Sequence, residues 1–360
     1  MRVLVAMSGG VDSSVVAALL HEQGHEVVGA TLQLYDHGAA ARRKGACCAG
    51  QDIHDAREVA AHLGIAHYVL DREQRFRDAV ITPFAASYAA GETPIPCIRC
   101  NQSVKFHDLT ELADDLGCEA LATGHYARRL DGPDGAELHR AADPLRDQSY
   151  FLAHTTRAQL ARSLFPLGAM ASKAEVRAHA ARLGVAVAEK PDSQDICFVP
   201  EGSYAEVVAR HHPEAMQPGE IVDLEGRVLG QHRGIGRYTV GQGRGLGVSG
   251  PERLYVAALD VPRRRVVVAH RAALGQAELE LGEVNWLVAP PEGPFRCQAK
   301  LRGRAQPEPC LAEWDGVALR LRPDAPAVAA PGQAAVLYHG SRVIAGSFIR
   351  AAVDRAGCAA

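Results

Sequence analysis

Residues 2–20, RVLVAMSGGVDSSVVAALL, decide the fold of the amino-terminal part of the chain. RVLVAM is an apolar run with the length of a buried strand, and the residues from Val11 onward have helical spacing. Two adjacent glycines and several small polar residues lie between them. Glycine permits positive φ and close backbone approach, so successive N–H groups can point into one concavity at the positive end of the helix. The segment therefore predicts a strand, an anion-binding turn and a helix.

An ordinary capped helix start is the simplest alternative for this turn, because serine and aspartate are favoured there in any protein. Capping explains one polar residue, or two, but not the whole run of Ser8, Asp12, Ser13 and Ser14. The turn lacks the lysine of the phosphoryl-transfer P-loop and the G-x-G-x-x-G spacing. We expect the three serines to offer hydroxyl donors to an anion, and Asp12 to orient a metal or cap the helix.

Strand and helix signals alternate along the first 125 or so residues. The predicted elements after the turn are the strand EVVGATLQL, a helix over 53–63, the strand AHYVL, a helix over 104–116 and the strand ALATG. Such alternation predicts βαβ units and a parallel sheet with helices on both faces. Ligands of such sheets bind beyond the carboxyl ends of the strands, where SGGVDSS lies. We predict loops at 34–50, which we expect to be mobile, at GETPIPCIRCNQ (91–102) and at EKPDSQDIC (189–197).

The pattern of the sequence changes from about Gly219, where short apolar runs are separated by glycine and proline. This pattern predicts small antiparallel strands and hairpins. We therefore predict an α/β chain of three parts. These are an N-terminal parallel-sheet domain at 1–204, a small central α+β domain at 205–275 and a C-terminal β-barrel at 276–360.

Composition excludes several classes of protein. At 360 residues the chain is too long for one ordinary core, and its 47% hydrophobic and 22% charged residues are typical of a soluble globular protein. No apolar run approaches the roughly 18 residues that cross a bilayer, and the apolar start is too short for a signal peptide. We therefore expect a cytoplasmic protein with no membrane partner.

The net charge of -3 gives no general signal for a polyanionic partner, but one segment is locally basic. The stretch from Arg227 to Pro251 contains no acidic residue. Such a stretch is usually a solvated face, but it also suits contact with phosphates. Its basic residues are Arg227, Arg233, Arg237 and Arg244.

The chain has nine cysteines, an odd count that favours thiols, metal ligands or catalytic groups over structural disulfides in a reducing compartment. Cys97 and Cys100 form one C-x-x-C pair, which alone is weak evidence for zinc or redox chemistry. Zinc needs two further ligands, and no second pair has suitable spacing, so we predict no metal site. For Cys197 the alternative is a buried, inert thiol.

The segment SGGVDSS, placed between a strand and a helix, resembles the pyrophosphate-binding loop of the PP-loop ATP pyrophosphatases. These enzymes have an adenine nucleotide alpha hydrolase-like fold, adenylate a substrate oxygen and release pyrophosphate. Further segments extend the resemblance: GETPIPCIRCN, ATGHYAR, DQSYFL, SLFPLG, KPDSQDICF and GQGRGLG follow in that order, with PGQAAVLY near the end. Taken together, these segments are similar to those of the tRNA-specific 2-thiouridylases, the MnmA family.

The resemblance implies thiolation of the wobble uridine of certain tRNAs at C2, with ATP and a persulfide sulfur. The uracil oxygen is a poor leaving group, so it is first adenylated, and AMP and pyrophosphate are released. The resemblance implies that ATP, accompanied by Mg²⁺, is held by Ala6, Met7, Ser8, Gly9, Gly10, Val11, Asp12, Ser13, Leu32 and Gly124.

Two cysteines carry the sulfur chemistry that the resemblance implies. Cys197 resembles the cysteine that receives the persulfide from a sulfur-carrier protein or a cysteine desulfurase. Cys100 resembles the nucleophile that either attacks this persulfide to free hydrosulfide or closes a transient disulfide with Cys197 as sulfur is transferred. A nucleophilic thiolate needs a lowered pKa, and we expect Arg99, beside Cys100, to contribute.

The stretch Ile95, Pro96 and Cys97 resembles the family segment that faces the target base, where many members have N-P-D. The carboxylate that is missing here is a candidate proton shuttle. Cys97 could replace it, supply an extra thiol or fill space. The resemblance also implies tRNA contacts, each of which alone could be a surface polar group or a cap: His125, Asp147, Gln148, Ser149, Arg302, Gly303 and Gln333.

A flipped anticodon base suits a deep pocket with a basic rim, and we expect the acid-free segment to supply part of that rim. Three rival functions stay open. One is an adenylating amidotransferase-type synthetase that acts on a small metabolite. The second is a non-catalytic nucleic-acid-binding protein with a vestigial nucleotide fold. The third is a thiol redox or zinc protein centred on Cys97 and Cys100.

Overall fold

The computed structural model describes residues 1–35, 49–185, 187, 190, 196–199, 203–248 and 252–350. Most of the predicted loop at 34–50 and most of EKPDSQDIC lie outside these residues. The chain folds into two compact units. The first consists of Met1–Val80, Cys97–Glu201 and Ser341–Val343, and the second of Ile81–Pro96, Gly202–Gly340 and Ile344–Ala360.

The described elements alternate between strand and helix at first and are then mostly strands. Up to residue 182 they are β1 (Arg2–Ala6), α1 (Val11–Glu22), β2 (Glu26–Gln33), α2 (Ala49–Leu63), β3 (Ala66–Asp71), α3 (Glu73–Phe76), α4 (Thr82–Ala89), α5 (Pro96–Cys100), α6 (Phe106–Asp115), β4 (Ala120–Ala122), β5 (Ala127–Gly132), β6 (Gly135–Arg140), α7 (Ser149–Leu152), α8 (Arg157–Ala161), β7 (Ser163–Leu164) and α9 (Lys173–Arg182). The later elements are α10 (Tyr204–His211), β8 (Gly219–Val222), β9 (Val228–His232), β10 (Leu254–Asp260), β11 (Arg265–His270), β12 (Leu279–Trp286), β13 (Phe295–Lys300), β14 (Glu308–Trp314), β15 (Leu319–Pro323), β16 (Ala334–His339) and β17 (Arg342–Ile349).

The core of the first unit is a parallel sheet, which confirms the predicted α/β class. Among the described residues its strand order is β3-β2-β1-β4-β7, and each neighbouring pair is parallel. Central strand β1 is apolar along its middle, with Val3, Leu4 and Val5 fully buried, as expected for a strand covered on both faces. The carboxyl ends of β1, β2 and β4 therefore meet at one edge of the sheet.

Helix α1 begins at Val11, where the sequence predicts a helix start. Its residues are mostly alanine, valine and leucine, and all positions from Val15 to Leu20 are buried. Burial around the whole helix fixes it against the sheet, so the turn that precedes it is held on a rigid support.

The predicted loop at 91–102 is wrong in its second half. Pro96–Cys100 forms helix α5, and Asn101–Lys105 continues it as a π-helical turn that leads into α6. Proline is tolerated in the first turn of a helix, because its missing N–H has no intrahelical partner there. Pro96 therefore starts the helix, and no glycine or proline follows to stop it.

The second unit contains a small sheet and a closed barrel. The sheet has the strand order β10-β11-β8-β9 among the described residues, around buried Ile221, Val256 and Val268. Its β8–β11 pair is parallel, so the prediction of antiparallel strands alone is wrong at this point. The barrel has the order β12-β15-β14-β13-β16-β17, and pairing of β12 with β17 closes it, as predicted. The predicted domain limits stay a prediction.

None of the described helices combines the length and the apolar character that crossing a membrane requires.

Candidate active site

The turn between β1 and α1 is shaped by Gly9 and Gly10. Gly9 has φ of +72°, and a Cβ there would lie 2.0 Å from the carbonyl oxygen of Asp52 in α2, so only glycine fits. Gly10 is the N-cap of α1 and supplies no capping side chain. The N–H groups of the first turn of α1 are therefore not taken by a cap side chain and can receive an anion.

The serine hydroxyls brace this turn instead of facing an anion. Ser13 Oγ accepts from the Ser8 N–H at 3.1 Å and donates to the Gly10 carbonyl oxygen at 3.1 Å. Ser14 Oγ donates to the same carbonyl at 2.9 Å, and both side chains are buried. Ser13 and Ser14 therefore do not offer free donors as expected, and Ser8 Oγ lies 3.2 Å from Ser13 Oγ although Ser8 is exposed. A contact of these serines with an anion stays a prediction.

Asp12 does not cap α1, which corrects one of its two expected roles. Its carboxylate accepts hydrogen bonds from the Tyr126 hydroxyl at 2.7 Å and from Lys173 Nζ at 2.8 Å to each oxygen. These contacts tie the first turn of α1 to the loop after β4 and to the start of α9. Neither Tyr126 nor Lys173 was predicted as a site residue, because a single lysine in SKAEVR carries no local pattern that separates it from a surface lysine.

A second unpredicted lysine lies on the other side of the turn. Lys190 Nζ donates to the Gly9 carbonyl oxygen at 3.0 Å and contacts Asp52 at 2.6 Å and Asp55 at 2.5 Å. Burial alone would lower the pKa of Lys190, but the hydrogen bonds to the two carboxylates raise it, so an ammonium stands beside the turn at neutral pH. Lys190 is the first residue of the segment KPDSQDICF, and this was the only available signal.

The predicted nucleotide residues on other strands lie at the same sheet edge. Leu32 is near the carboxyl end of β2, the strand beside β1. Gly124 follows β4, the other neighbour of β1, and a Cβ on it would lie 3.1 Å from the Ser13 backbone nitrogen and 3.2 Å from Asp12. The loop after β4 therefore contacts the first turn of α1.

His125, the next residue in that loop, is held as a neutral imidazole. Its Nδ1 lies 2.8 Å from Thr123 Oγ1. Burial and, to a smaller extent, the charge of Lys105 lower the pKa of His125 to about 3. The ring therefore carries no charge near neutral pH and can act only through its nitrogens as a neutral donor and acceptor.

This shift predicts a measurable pH dependence of stability. The pKa of His125 is depressed on folding, so its stabilising contribution is complete above pH 6.5 and is lost as the pH falls from 6.5 toward 3. Between pH 7 and pH 5 we expect wild type to lose about 2 kcal/mol more unfolding free energy than His125→Asn. Urea unfolding at the two pH values measures this difference; equal losses in the two proteins would contradict it.

Cys97, Cys100 and Cys197 are close enough that their charges influence one another, and Lys105 lies among them. Burial raises the pKa of Cys100, and Lys105 opposes the rise. Part of Cys197 is exposed, but desolvation of its sulfur, with a smaller effect from Cys100, raises its pKa to about 12. The cation that opposes the rise in both thiol pKa values is Lys105, not Arg99 as predicted. Lys105 was not a predicted site residue.

Asp147, Gln148 and Ser149 support the loops of the first unit. Asp147 is buried and accepts from the Ser149 hydroxyl at 3.0 Å and from the Ala141 N–H at 3.1 Å. Gln148 Oε1 accepts from the Tyr126 N–H at 2.9 Å and so holds the residue whose hydroxyl contacts Asp12 in the first turn of α1. Their predicted contact with tRNA stays a prediction.

In the second unit, the predicted residue Gln333 contacts Thr93, which lies two residues before the predicted base-facing stretch. Gln333 Nε2 donates to the Thr93 carbonyl oxygen at 2.8 Å, and the Thr93 N–H donates to the Pro331 carbonyl oxygen at 2.7 Å. Ile95 and Pro96, the first two residues of the base-facing stretch, are buried. Their contact with a base stays a prediction.

Arg302 and Gly303, also in the second unit, lie between β13 and β14. The Arg302 side chain is exposed and donates to the Val328 carbonyl oxygen at 3.1 Å. A predicted tRNA contact at this position stays a prediction.

A parallel sheet whose first strand leads through an uncapped glycine turn into a buried helix, with ammonium groups beside the turn, is the arrangement expected from the resemblance to the PP-loop ATP pyrophosphatases. Residues 1–201 match the family model of the tRNA methyl transferase HUP domain, 205–270 that of the tRNA methyl transferase PRC-barrel domain, and 276–349 that of the aminomethyltransferase beta-barrel domain. The chain belongs to the MnmA family of tRNA-specific 2-thiouridylases.

Two relatives illustrate the similarity. The tRNA-specific 2-thiouridylase MnmA of Acidiphilium cryptum is 63% identical over 349 residues, which is 97% of this chain and 100% of that protein. The MnmA of Gluconobacter oxydans is 57% identical over 360 residues, 98% of this chain and 99% of that protein. Among solved structures, NMN synthetase from Francisella tularensis aligns with 58% of this chain and 75% of its own at 17% identity and a TM-score of 0.31, too distant to support an inference.

Proposed function

We propose that this chain is a tRNA 2-thiouridylase, which uses ATP to adenylate the C2 oxygen of the wobble uridine and then replaces that oxygen with sulfur. One observation carries the proposal. The loop after β4 reaches both halves of the site, because Gly124 contacts the first turn of α1 and the neighbouring His125 is within electrostatic reach of Lys105. Lys105 in turn neighbours the thiols of Cys100 and Cys197. This arrangement supports an adenylation site and a sulfur site that are adjacent in the first unit.

ATP is proposed to bind with its phosphates at the N-terminus of α1, within the residues predicted from Ala6 to Ser13. The uncapped N–H groups and the helix dipole favour the negative charge. Lys173 and Lys190 are now neutralised by carboxylates and could turn to the phosphates. The carboxylate of Asp12 is a ligand type that Mg²⁺ prefers, and the ion would neutralise phosphate charge when bound.

In the adenylation step the C2 oxygen attacks the α-phosphorus of ATP, the bond to pyrophosphate breaks, and the uridine N3 proton leaves. Binding at fixed positions makes this attack effectively unimolecular. Cys97 is exposed, and in its thiolate form it is a candidate acceptor of this proton.

Sulfur transfer starts from a persulfide on Cys197, supplied by a sulfur-carrier protein or a cysteine desulfurase. In one order of events the Cys100 thiolate attacks Cys197 Sγ, hydrosulfide leaves, and hydrosulfide then displaces AMP from C2 while its proton passes to N3. In the other order, the terminal persulfide sulfur displaces AMP first, and Cys100 then attacks Cys197 Sγ to release 2-thiouridine. Both orders end with a Cys100–Cys197 disulfide, which an external thiol must reduce before the next turnover.

The proposed tRNA surface gives a prediction for the acid-free segment. Arg227 is already compensated, because its Nε lies 2.6 Å from Asp223. Arg233 and Arg244 have no carboxylate partner in the described part of the chain. We therefore expect Arg233→Ala and Arg244→Ala each to weaken tRNA binding several-fold and to lower its salt dependence, since each removes about one phosphate contact. Filter binding from low to high salt measures this.

Arg227→Ala is the matched control for these variants, and we expect it to bind tRNA as wild type does. Affinity that does not change with salt, or wild-type affinity in both Arg233→Ala and Arg244→Ala, would rule out the acid-free segment as part of the tRNA surface.

Three further proposals follow from the family. The chain acts in the cytoplasm, on tRNAs with a wobble uridine. Its domains are a PP-loop domain at 1–204, a central domain at 205–275 and a barrel at 276–360, close to the limits of the matching family models.

The function is tested with pure protein, ATP, unmodified tRNA and a cysteine desulfurase with cysteine. We expect tRNA-stimulated release of pyrophosphate and formation of 2-thiouridine, identified by mass spectrometry of the digested tRNA. A binding protein would release no pyrophosphate, and a zinc protein would contain stoichiometric metal. A methylated uridine that depends on S-adenosylmethionine would support the methyl transfer in the family-model descriptions instead.

A further inference from the structure

Lys105 lies one π-helical turn after Cys100. The Phe106 N–H donates to the Asn101 carbonyl oxygen, five residues back, and the turn spans Asn101–Lys105. In an α-helix, residues five apart point in different directions, whereas a π-helical turn bonds residue i to residue i+5 and brings them to the same side. π-Helical turns are often found at functional sites. The irregular turn therefore aligns the Lys105 side chain with the Cys100 thiol.

Lys105 differs from the other described lysines of the first unit in its partners. Lys173 and Lys190 are each paired with carboxylates, at distances of 2.5–2.8 Å. Lys105 has no carboxylate partner in the described part of the chain, although it is half-buried. A buried ammonium is unfavourable without a counter-charge. The negative charge that would compensate it must therefore come from elsewhere.

In the described part of the chain, the titratable groups that interact electrostatically with Lys105 are three cysteine sulfurs and the His125 ring. Burial by itself lowers the pKa of Lys105, but Cys100, Cys97 and Cys197 together raise it above its ordinary value. His125, from the loop after β4, is uncharged at neutral pH. The neighbouring cation on the same helix, Arg99, donates to Gln102 Oε1 at 3.4 Å. Among the described residues, the groups that can supply a negative charge to Lys105 are therefore these sulfurs.

We propose that Lys105 is the counter-ion for the sulfur anions of the reaction, namely the Cys100 thiolate and the terminal sulfur of a persulfide on Cys197. This proposal rests on the sulfur transfer proposed above. Lys105 is a positioning residue, because it acts through the two cysteines. A persulfide is a stronger acid than a thiol, so its loading onto Cys197 would place the first full negative charge beside the ammonium. The positive charge of Lys105 can then stabilise both the attacking Cys100 thiolate and the terminal persulfide sulfur that is transferred.

The test uses Lys105→Gln, Lys105→Arg and, as a control for the loss of an exposed cation in the same unit, Arg182→Gln. The rate of alkylation by iodoacetamide is measured from pH 6 to pH 10, and each cysteine is followed in its own peptide. Cleavage after Arg99 separates Cys97 from Cys100. We expect Lys105→Gln to raise the pKa of Cys100 or Cys197 by about one unit and to slow its alkylation at pH 7 about tenfold. Lys105→Arg and Arg182→Gln should follow the wild-type profile.

The same variants are then compared in single-turnover thiolation. We expect Lys105→Gln to slow sulfur transfer at least tenfold, to regain part of the rate at higher pH, and to release pyrophosphate at the wild-type rate. Alkylation profiles of Lys105→Gln that coincide with wild type at both cysteines would overturn the proposal even if thiolation were slow. If wild type itself made no 2-thiouridine, the proposed function would fail, while the alkylation profiles would still decide the role of the charge.

Discussion

Cys100→Ser and Cys197→Ser are each expected to reduce 2-thiouridine formation by about 10³-fold or more while tRNA-stimulated pyrophosphate release continues. The reason is that the proposed reaction divides into two chemistries on two groups of residues. Adenylation needs the turn at α1, whereas sulfur transfer needs one thiol to carry the persulfide and a second to attack it. Serine keeps the size of the side chain but cannot form a persulfide, and its hydroxyl is a poor nucleophile without an adjacent base.

The two reactions are measured side by side, as pyrophosphate released and as thiouridine in digested tRNA. Cys118→Ser is the matched control. Like Cys100, Cys118 is a buried thiol of the first unit, but it is not among the groups that influence the pKa values of Cys100 and Cys197. It should retain both activities. Normal tRNA thiolation in cells whose only copy of the gene carries Cys100→Ser or Cys197→Ser would refute the assignment.

Gly9→Ala is expected to abolish pyrophosphate release and to weaken ATP binding by about 100-fold or more. An alanine at φ of +72° is strained by about 1–2 kcal/mol, and its Cβ would lie 2.0 Å from the Asp52 carbonyl oxygen. A backbone atom cannot turn aside as a side chain can, so the turn or the start of α2 must move. Either movement displaces the N–H groups that are proposed to receive the phosphates.

Gly24→Ala is the control that separates the effect of backbone strain at positive φ from the effect of a steric clash of the new Cβ. Gly24 also has positive φ, +81°, but no atom of the described residues lies within 4 Å of its would-be Cβ. We expect Gly24→Ala to cost about 1 kcal/mol of stability and to leave ATP binding unchanged. Calorimetric titration with ATP and urea unfolding compare the two variants. Wild-type affinity for ATP in folded Gly9→Ala protein would show that the turn does not hold the phosphates.

The fold was largely predictable because the local patterns are strong. The apolar run at β1, the glycine pair and the Ala/Leu-rich stretch of α1 each specify their own conformation, and short strands separated by glycine and proline indicate the barrel. Pro96 was misleading. Proline favours both loops and the first turn of helices, and only the residues packed around α5 decide between them.

The site was predictable only in its residues of special chemistry. Glycine and cysteine stand out in any sequence, so Gly9, Cys100 and Cys197 could be selected from short segments. Lys173, Lys190 and Lys105 could not, because their importance arises from contacts with residues far away in the chain or, for Lys105, from an extra residue in one helical turn. For Ser13 and Ser14 the sequence did not reveal that their hydroxyls donate to the Gly10 carbonyl oxygen, because that bond depends on the path of the backbone.

The most direct test of the two-thiol reaction is a single turnover without reductant. Protein loaded with ³⁵S-persulfide on Cys197 is mixed with ATP and unmodified tRNA, and labelled 2-thiouridine, AMP and the non-reduced peptide map are measured together. The account predicts one Cys100–Cys197 disulfide and one AMP for each ³⁵S atom that reaches uridine. Labelled thiouridine formed while both cysteines stay free thiols would contradict it.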